Sequence, residues 1–172
     1  KLQVEFNPGK VEAYRLIGYE NRMLNKEDFN DDMKDAGELG SGHTVTVLYE
    51  VALAGSGEEF SETDPLKYQK TSVVKSKDLM TVKMRYKDPD GTESKLITQS
   101  VIAGKENETP SENFRFASSV AEFGLLLRDS EYKGDASYKS TIERARDAKG
   151  KDHNGYRAEF IKLIEIAEIL SK

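Results

Sequence analysis

The hydrophobic period of this chain changes once, at Thr109, and that change constrains the fold more than any single motif. Before it, apolar and β-branched residues alternate with polar ones, the pattern of strands with one buried face. Leu2, Val4 and Phe6 alternate ahead of a turn at Asn7-Pro8-Gly9. Beyond the turn, Val11, Ala13, Arg15, Ile17 and Tyr19 share one face and Tyr14 and Leu16 the other, so a hairpin is the simplest pairing. Residues 43–53 read as a strand through Val45, Val47, Tyr49, Val51 and Leu53. Residues 79–86 and 95–102 read as two more. Asp88-Pro89-Asp90-Gly91 joins them, and there Gly91 is expected to take a positive φ.

After Thr109 the spacing becomes helical. Thr109-Pro110-Ser111-Glu112 offers a Thr N-cap, Pro at the first helical position and Glu at the third. Phe116, Val120, Phe123 and Leu127 predict the inward side of this helix, and Ala117, Ala121 and Gly124 a second side of small residues. Ser137 predicts the cap of another helix with Tyr138, Ile142 and Ala145 inward. Past a break at 150–155, residues 156–170 predict a third helix. Its inward stripe is Tyr156, Phe160, Leu163, Ala167 and Leu170, widened by Ile161 and Ile164. The expected architecture is α+β: an antiparallel β-sheet or β-sandwich over 1–108, with three C-terminal α-helices over 109–172 packed on it.

At 172 residues the chain is long enough for one sizeable domain. It opens Lys1-Leu2-Gln3-Val4 without a Met, so a piece of a longer protein is expected. The net charge of −5, spread along the sequence, argues against nucleic acid, which demands a basic stripe. No apolar run approaches the ~18–20 residues of a membrane span. The absence of cysteine excludes disulfides, thiolate zinc sites and cysteine nucleophiles.

Each catalytic or metal pattern fails on a named residue. An EF-hand loop counted from Asp28 needs Gly at its sixth position and Glu at its twelfth, but Met33 and Leu39 stand there. His43 and His153 are the only histidines. Ser41 lies near His43 but in no nucleophile elbow. The glycines at 37, 40 and 42 lack the Lys of a P-loop and precede a strand instead of a helix. Arg15, Glu20, Arg22, Arg115, Arg128, Asp129 and Glu131 read as structural ion pairs. The chain is therefore expected to be no enzyme, with no catalytic, cofactor or metal residue. Two competing classes are a hydrolase with a carboxylate pair and a glycan-binding β-sandwich using exposed tyrosines. The polar segment 25–42 is long for a plain connection, and such loops often carry function. It is expected to lie ordered against the fold or a neighbouring module. Arg22, Asp35, Glu38 and His43 are the candidates for an interaction or interdomain surface. Residues 55–64 read as an acidic insertion.

Several stretches, in order, carry a resemblance. They include Val11-Glu12-Ala13-Tyr14-Arg15-Leu16-Ile17-Gly18-Tyr19-Glu20-Asn21-Arg22 and Asp35-Ala36-Gly37-Glu38-Leu39-Gly40-Ser41-Gly42-His43-Thr44-Val45-Thr46. Leu66-Lys67-Tyr68-Gln69, Met84-Arg85-Tyr86, Asn113-Phe114-Arg115-Phe116-Ala117 and Phe123-Gly124-Leu125-Leu126-Leu127-Arg128-Asp129-Ser130-Glu131-Tyr132 follow, with Gly155-Tyr156-Arg157 last. Together they resemble the C-terminal domain of YfbK-type bacterial von Willebrand factor A (VWA) proteins. The resemblance implies an upstream VWA domain in the same chain and an unknown protein partner. It also implies a bacterial cell-envelope protein, periplasmic or at the surface, anchored through its N-terminal part. The family domain has no defined catalytic residue, so a noncatalytic accessory role in protein binding or assembly is implied. A VWA domain holds a divalent metal through Asp-x-Ser-x-Ser. The nearest match here, Asp135-Ala136-Ser137-Tyr138-Lys139, has Lys where the second Ser is needed. Such a metal is therefore expected in the VWA domain and not in this chain.

Overall fold

The strands form largely where alternation places them; the second pairs with the third and the fourth with the fifth, while the first pairs across the chain with the fourth. The computed structural model describes residues 1–57, 73–102 and 109–171. Its strands are β1 (Leu2–Phe6), β2 (Val11–Ile17), β3 (Leu48–Leu53), β4 (Asp78–Tyr86) and β5 (Lys95–Ile102). The helices are α1 (Glu112–Leu127), α2 (Tyr138–Asp147) and α3 (Tyr156–Leu170). The fold is thus α+β, with antiparallel sheets first and three helices last. Residues 66–69 and most of the acidic stretch 55–64 lie outside the described residues.

Two antiparallel sheets form, one ordered β1-β4-β5 and one pairing β2 with β3. The expected hairpin between β1 and β2 is not made, because Asn7 hands the chain from one sheet to the other. Its backbone N–H donates to Leu79 O at 2.9 Å and its Nδ2 to Asp78 O at 2.7 Å, prolonging the pairing with β4. Its carbonyl then accepts from the N–H groups of Lys10 and Val11, which turns β2 away.

In the first sheet Leu2 lies opposite Met84, Val4 opposite Val82 and Phe6 opposite Met80. Met80, Val82 and Met84 lie in turn opposite Val101, Gln99 and Ile97. One face therefore collects apolar side chains, while Gln3, Glu5, Thr81, Lys83, Thr98 and Ser100 take the other. Phe6 is buried, with its ring centroid 4.4 Å from that of Tyr14 and 5.3 Å from that of Tyr49, which seats the end of β1 on the second sheet.

The strand expected over 43–53 is regular only from Leu48. Its partner β2 ends at Ile17, opposite Leu48, and Gly18 and Tyr19 then take left-handed backbone at φ 72° and 59°. With the partner turned away, residues 43–47 have nothing to pair with in that sheet. The β4–β5 turn forms as expected, closed by Gly91 N–H donating to Asp88 O. Gly91 does not adopt the expected positive φ. What calls for glycine is close approach: a Cβ there would meet the backbone N and O of Asp88, each at 3.3 Å.

By contact density the chain divides into two compact units, Lys1–Glu106 and Asn107–Lys172. In the second, α1 is capped by Ser111 and not by Thr109: the Ser111 hydroxyl accepts from Phe114 N–H at 3.1 Å. Its buried residues are Ser119, Glu122 and Phe123, whereas Val120 and Leu127 face solvent, contrary to the expected stripe. Aromatic rings decide this orientation. Phe160 meets Phe116 and Phe123 edge-on at 5.5 and 5.7 Å, and Phe123 meets Tyr138 at 6.3 Å. Helix α2 follows its sequence reading, capped by a Ser137–Ser140 box and burying Ile142 and Ala145. Helix α3 spans the expected residues and turns Ile161 and Ile164 inward, with Phe160 and Ala167 packed beside them, but Tyr156, Leu163 and Leu170 are exposed. The inward side is thus the part of the expected stripe that runs through Phe160, Ile161, Ile164 and Ala167.

Candidate interaction surface

Gly18 and Tyr19 redirect the chain into the long segment before β3, which continues as short 3₁₀ turns at Glu20–Arg22 and Lys26–Phe29. Its first half is fastened by polar contacts. The Lys1 ammonium donates to the carbonyls of Asp28, at 2.9 Å, and Asp31. Lys87 Nζ donates to Asp32 O at 2.7 Å, and Arg85 Nε to Asn30 Oδ1 at 3.1 Å. Ser94 N–H donates to Asp32 Oδ2 at 3.1 Å while the Ser94 hydroxyl accepts from Arg85 Nη1. Hydrogen bonding from Ser94 holds the Asp32 carboxyl below the usual carboxylate range. Phe29 is buried with the Arg85 guanidinium 5.6 Å from its ring centroid. Residues 28–32 are thereby tied to the start of β1, the end of β4 and the β4–β5 turn.

The four residues singled out by sequence sit elsewhere on this segment. Arg22, Asp35, Glu38 and His43 are all exposed. Asp35 Oδ1 accepts from the next backbone N–H, that of Ala36. The His43 ring lies over Gly40, where a Cβ would come within 3.2 Å of its Cδ2, and His43 N–H donates to Gly40 O. Among the described residues no hydrogen bond or ion pair joins any two of these four. The anchors are Asn30, Asp32, Arg85 and Ser94 instead. Apolar side chains accompany them: Met23, Met33, Leu39 and Val45 are exposed, Met33 by 92%. Two of the charges read as structural pairs are local, Arg15 with Glu50 on the neighbouring strand and Asp129 with Lys133 one turn away.

The helical unit has a cleft of about 550 Å³ where α2 passes to α3, lined by Glu112, Asn113, Lys149, Lys151, His153 and Tyr156 among others. Its floor is committed to structure. Arg157 donates through Nη1 to the carbonyls of Ala148 and Lys149 at 3.0 and 3.3 Å, and through Nη2 to Asn113 Oδ1 at 2.6 Å. The same guanidinium lies 4.7 Å from the Phe116 ring centroid. Gly155 is the N-cap residue of α3 but has no side chain to offer, so Asp152 supplies the cap. Its carboxylate accepts from the N–H groups of Arg157 at 3.1 Å and Ala158 at 2.8 Å. Desolvation pushes this carboxyl up, but those two hydrogen bonds and the charges of Lys149 and Arg157 override it and hold it low.

The sequence reading missed a further pair. Glu122 is buried on α1, accepting from Arg144 Nη1 at 2.8 Å. Its signal was a lone carboxylate inside an apolar helical run. Among the described residues no group of three or more His, Asp or Glu side chains stands close enough to hold a metal ion, and no helix is long and apolar enough to cross a membrane.

A family model described as "Uncharacterized protein YfbK, C-terminal" matches residues 1–170. The chain is 43% identical over 172 residues to "Uncharacterized protein YfbK" of Escherichia coli (strain K12), an alignment covering 98% of this chain and 29% of that relative. It thus spans less than a third of the length of the curated relative it matches. No solved structure matches it.

Proposed function

Because the chain belongs to the YfbK C-terminal family, we propose that it is a noncatalytic accessory domain of a bacterial VWA-containing envelope protein, supporting protein–protein interaction or assembly. One observation carries this reading. The segment between β2 and β3 is tied down at 28–32 yet presents Met23, Met33, Leu39 and Val45 to solvent. Apolar side chains on a pre-ordered segment suit a protein surface, since little ordering is left to be done on binding. Methionine adds adaptability, because its unbranched thioether chain fits irregular partners.

The partners we propose are the VWA domain of the same protein and a further, unidentified protein. Any divalent metal belongs to that VWA domain. The greater length of the Escherichia coli relative supports a neighbouring module. Membrane attachment is assigned to the N-terminal part of the full protein. Arg22 and Glu38, exposed on the same segment, are assigned as its polar contacts.

The test uses the full-length protein. Arg22→Ala, Glu38→Ala and Met33→Asp should each weaken partner capture or loosen packing against the VWA domain, read as faster proteolysis between the domains. The melting temperature of this domain should stay unchanged, because all three side chains are exposed. Full partner binding and unaltered proteolysis in all three variants would reduce the segment to a connection.

A further inference from the structure

We propose that β5 is a self-pairing edge through which two copies of this chain form an antiparallel dimer about a two-fold axis at Gln99. This goes beyond the accessory role and stands or falls separately from it. Among the described residues β5 is the last strand of its sheet, with β4 on one side only. Seven of its eight side chains are exposed, so the strand is open on both faces as well as along its edge.

Exposed edges are normally guarded by charge, proline or a bulge. The other edge strands carry charge within their ladders: Glu5 in β1, Glu12 and Arg15 in β2, Glu50 in β3. In β5 the sole charge is Lys95 at the first position, already paired with Asp88. From Leu96 to Ile102 the strand reads Leu-Ile-Thr-Gln-Ser-Val-Ile, with no charge, glycine or proline. Such a window favours strand addition.

The register picks out a second copy as the occupant. For the apolar faces of two sheets to continue on one side, directly opposed residues must share a face. An axis at Gln99 meets that condition. It sets Gln99 against Gln99, Ile97 against Val101, Leu96 against Ile102 and Thr98 against Ser100. Every pair is matched in chemistry, and the Thr98–Ser100 hydroxyl pair is of a kind that stabilises antiparallel ladders. An axis at Thr98 keeps the faces aligned but sets Ile97 against Gln99 and Leu96 against Ser100. About the Gln99 axis the two Lys95 ammonium groups lie roughly 27 Å apart along the joined strands, beyond the ~10 Å screening length of ordinary buffer. The resulting contact is isologous and closes at two copies, giving a continuous sheet in the order β1-β4-β5-β5-β4-β1.

The 172-residue chain tests this by sedimentation equilibrium. Wild type should rise with concentration from 19.3 kDa toward twice that mass. Gln99→Lys and Gln99→Glu each place like charges at the axis and should stay at the monomer mass. An equimolar mixture of the two should recover the doubled mass, because opposite charges then face each other. Hydrogen exchange on wild type supplies a readout independent of any variant: the amides of residues 96–102 should exchange more slowly at high concentration than after dilution. A wild-type chain monomeric at every soluble concentration would overturn the proposal. So would a Gln99→Lys variant that dimerises like wild type, or β5 exchange that ignores dilution.

Discussion

Asp152 replaces the missing N-cap side chain of α3, so one carboxylate fixes both the start of a helix and the path of the connection before it. Its folded pKa lies below the ordinary value. The stability it confers is therefore complete above the unfolded aspartate value of ~3.9 and is lost as pH falls through the lower folded value. Asp152→Asn should lower the melting temperature at neutral pH, and the gap to wild type should close as the pH drops below that range. A gap constant with pH would show that the charge plays no part. Arg157 depends on shape more than charge, since its flat fork serves two carbonyls and an amide while stacking on Phe116. Glu122 is the most exacting of these groups: with Arg144 removed, a buried carboxylate keeps, among the described residues, only a long contact to the Ser140 hydroxyl at 3.5 Å. Arg144→Ala should cost about 1–3 kcal/mol in denaturant unfolding.

Among the elements, α3 shows what periodicity can and cannot settle. Its limits follow from sequence because Gly155 precedes it and the apolar spacing runs unbroken to Leu170. Its inward side follows in part: Phe160, Ile161, Ile164 and Ala167 pack inward as expected, but the stripe was read too wide at Tyr156, Leu163 and Leu170. A paired substitution tests the observed orientation. Ile164→Ala, at a fully buried position, should cost roughly 2–5 kcal/mol. Leu163→Ala, next to it and exposed, should change stability by no more than about 0.5 kcal/mol. Equal effects would place both on the inward side. Strand limits were legible for the same local reasons, most cleanly in β5, and the turn at 88–91 named the β4–β5 pairing, but the partner of β1 was not legible, since nothing in β1 names β4. The candidate surface was legible only as a loop. Arg85 reaches Asn30, and Ser94 reaches Asp32, across 55 and 62 positions, and no local spacing encodes such contacts.

In the whole molecule, the cluster of Phe123, Ile142, Ala145, Ile161 and Ile164 lies entirely within the unit after Glu106. Residues 107–172 should therefore fold alone, with a cooperative loss of helical circular dichroism on heating. A gradual, featureless melt would mean that the helices need the preceding strands. The preceding unit is organised differently. The backbone amine of Lys1 donates to Arg85 O, 84 positions away, and β1 finds its whole ladder on β4. On the ribosome, at ~5–20 residues per second, the first strand emerges and then waits roughly 4–16 seconds for its partner to be made. Throughout that interval Leu2, Val4 and Phe6 are bare. The sheet is thus a customer for whatever shelters nascent chains, and slowing translation between residues 20 and 78 should lower the yield of native protein more than an equal pause within the helices.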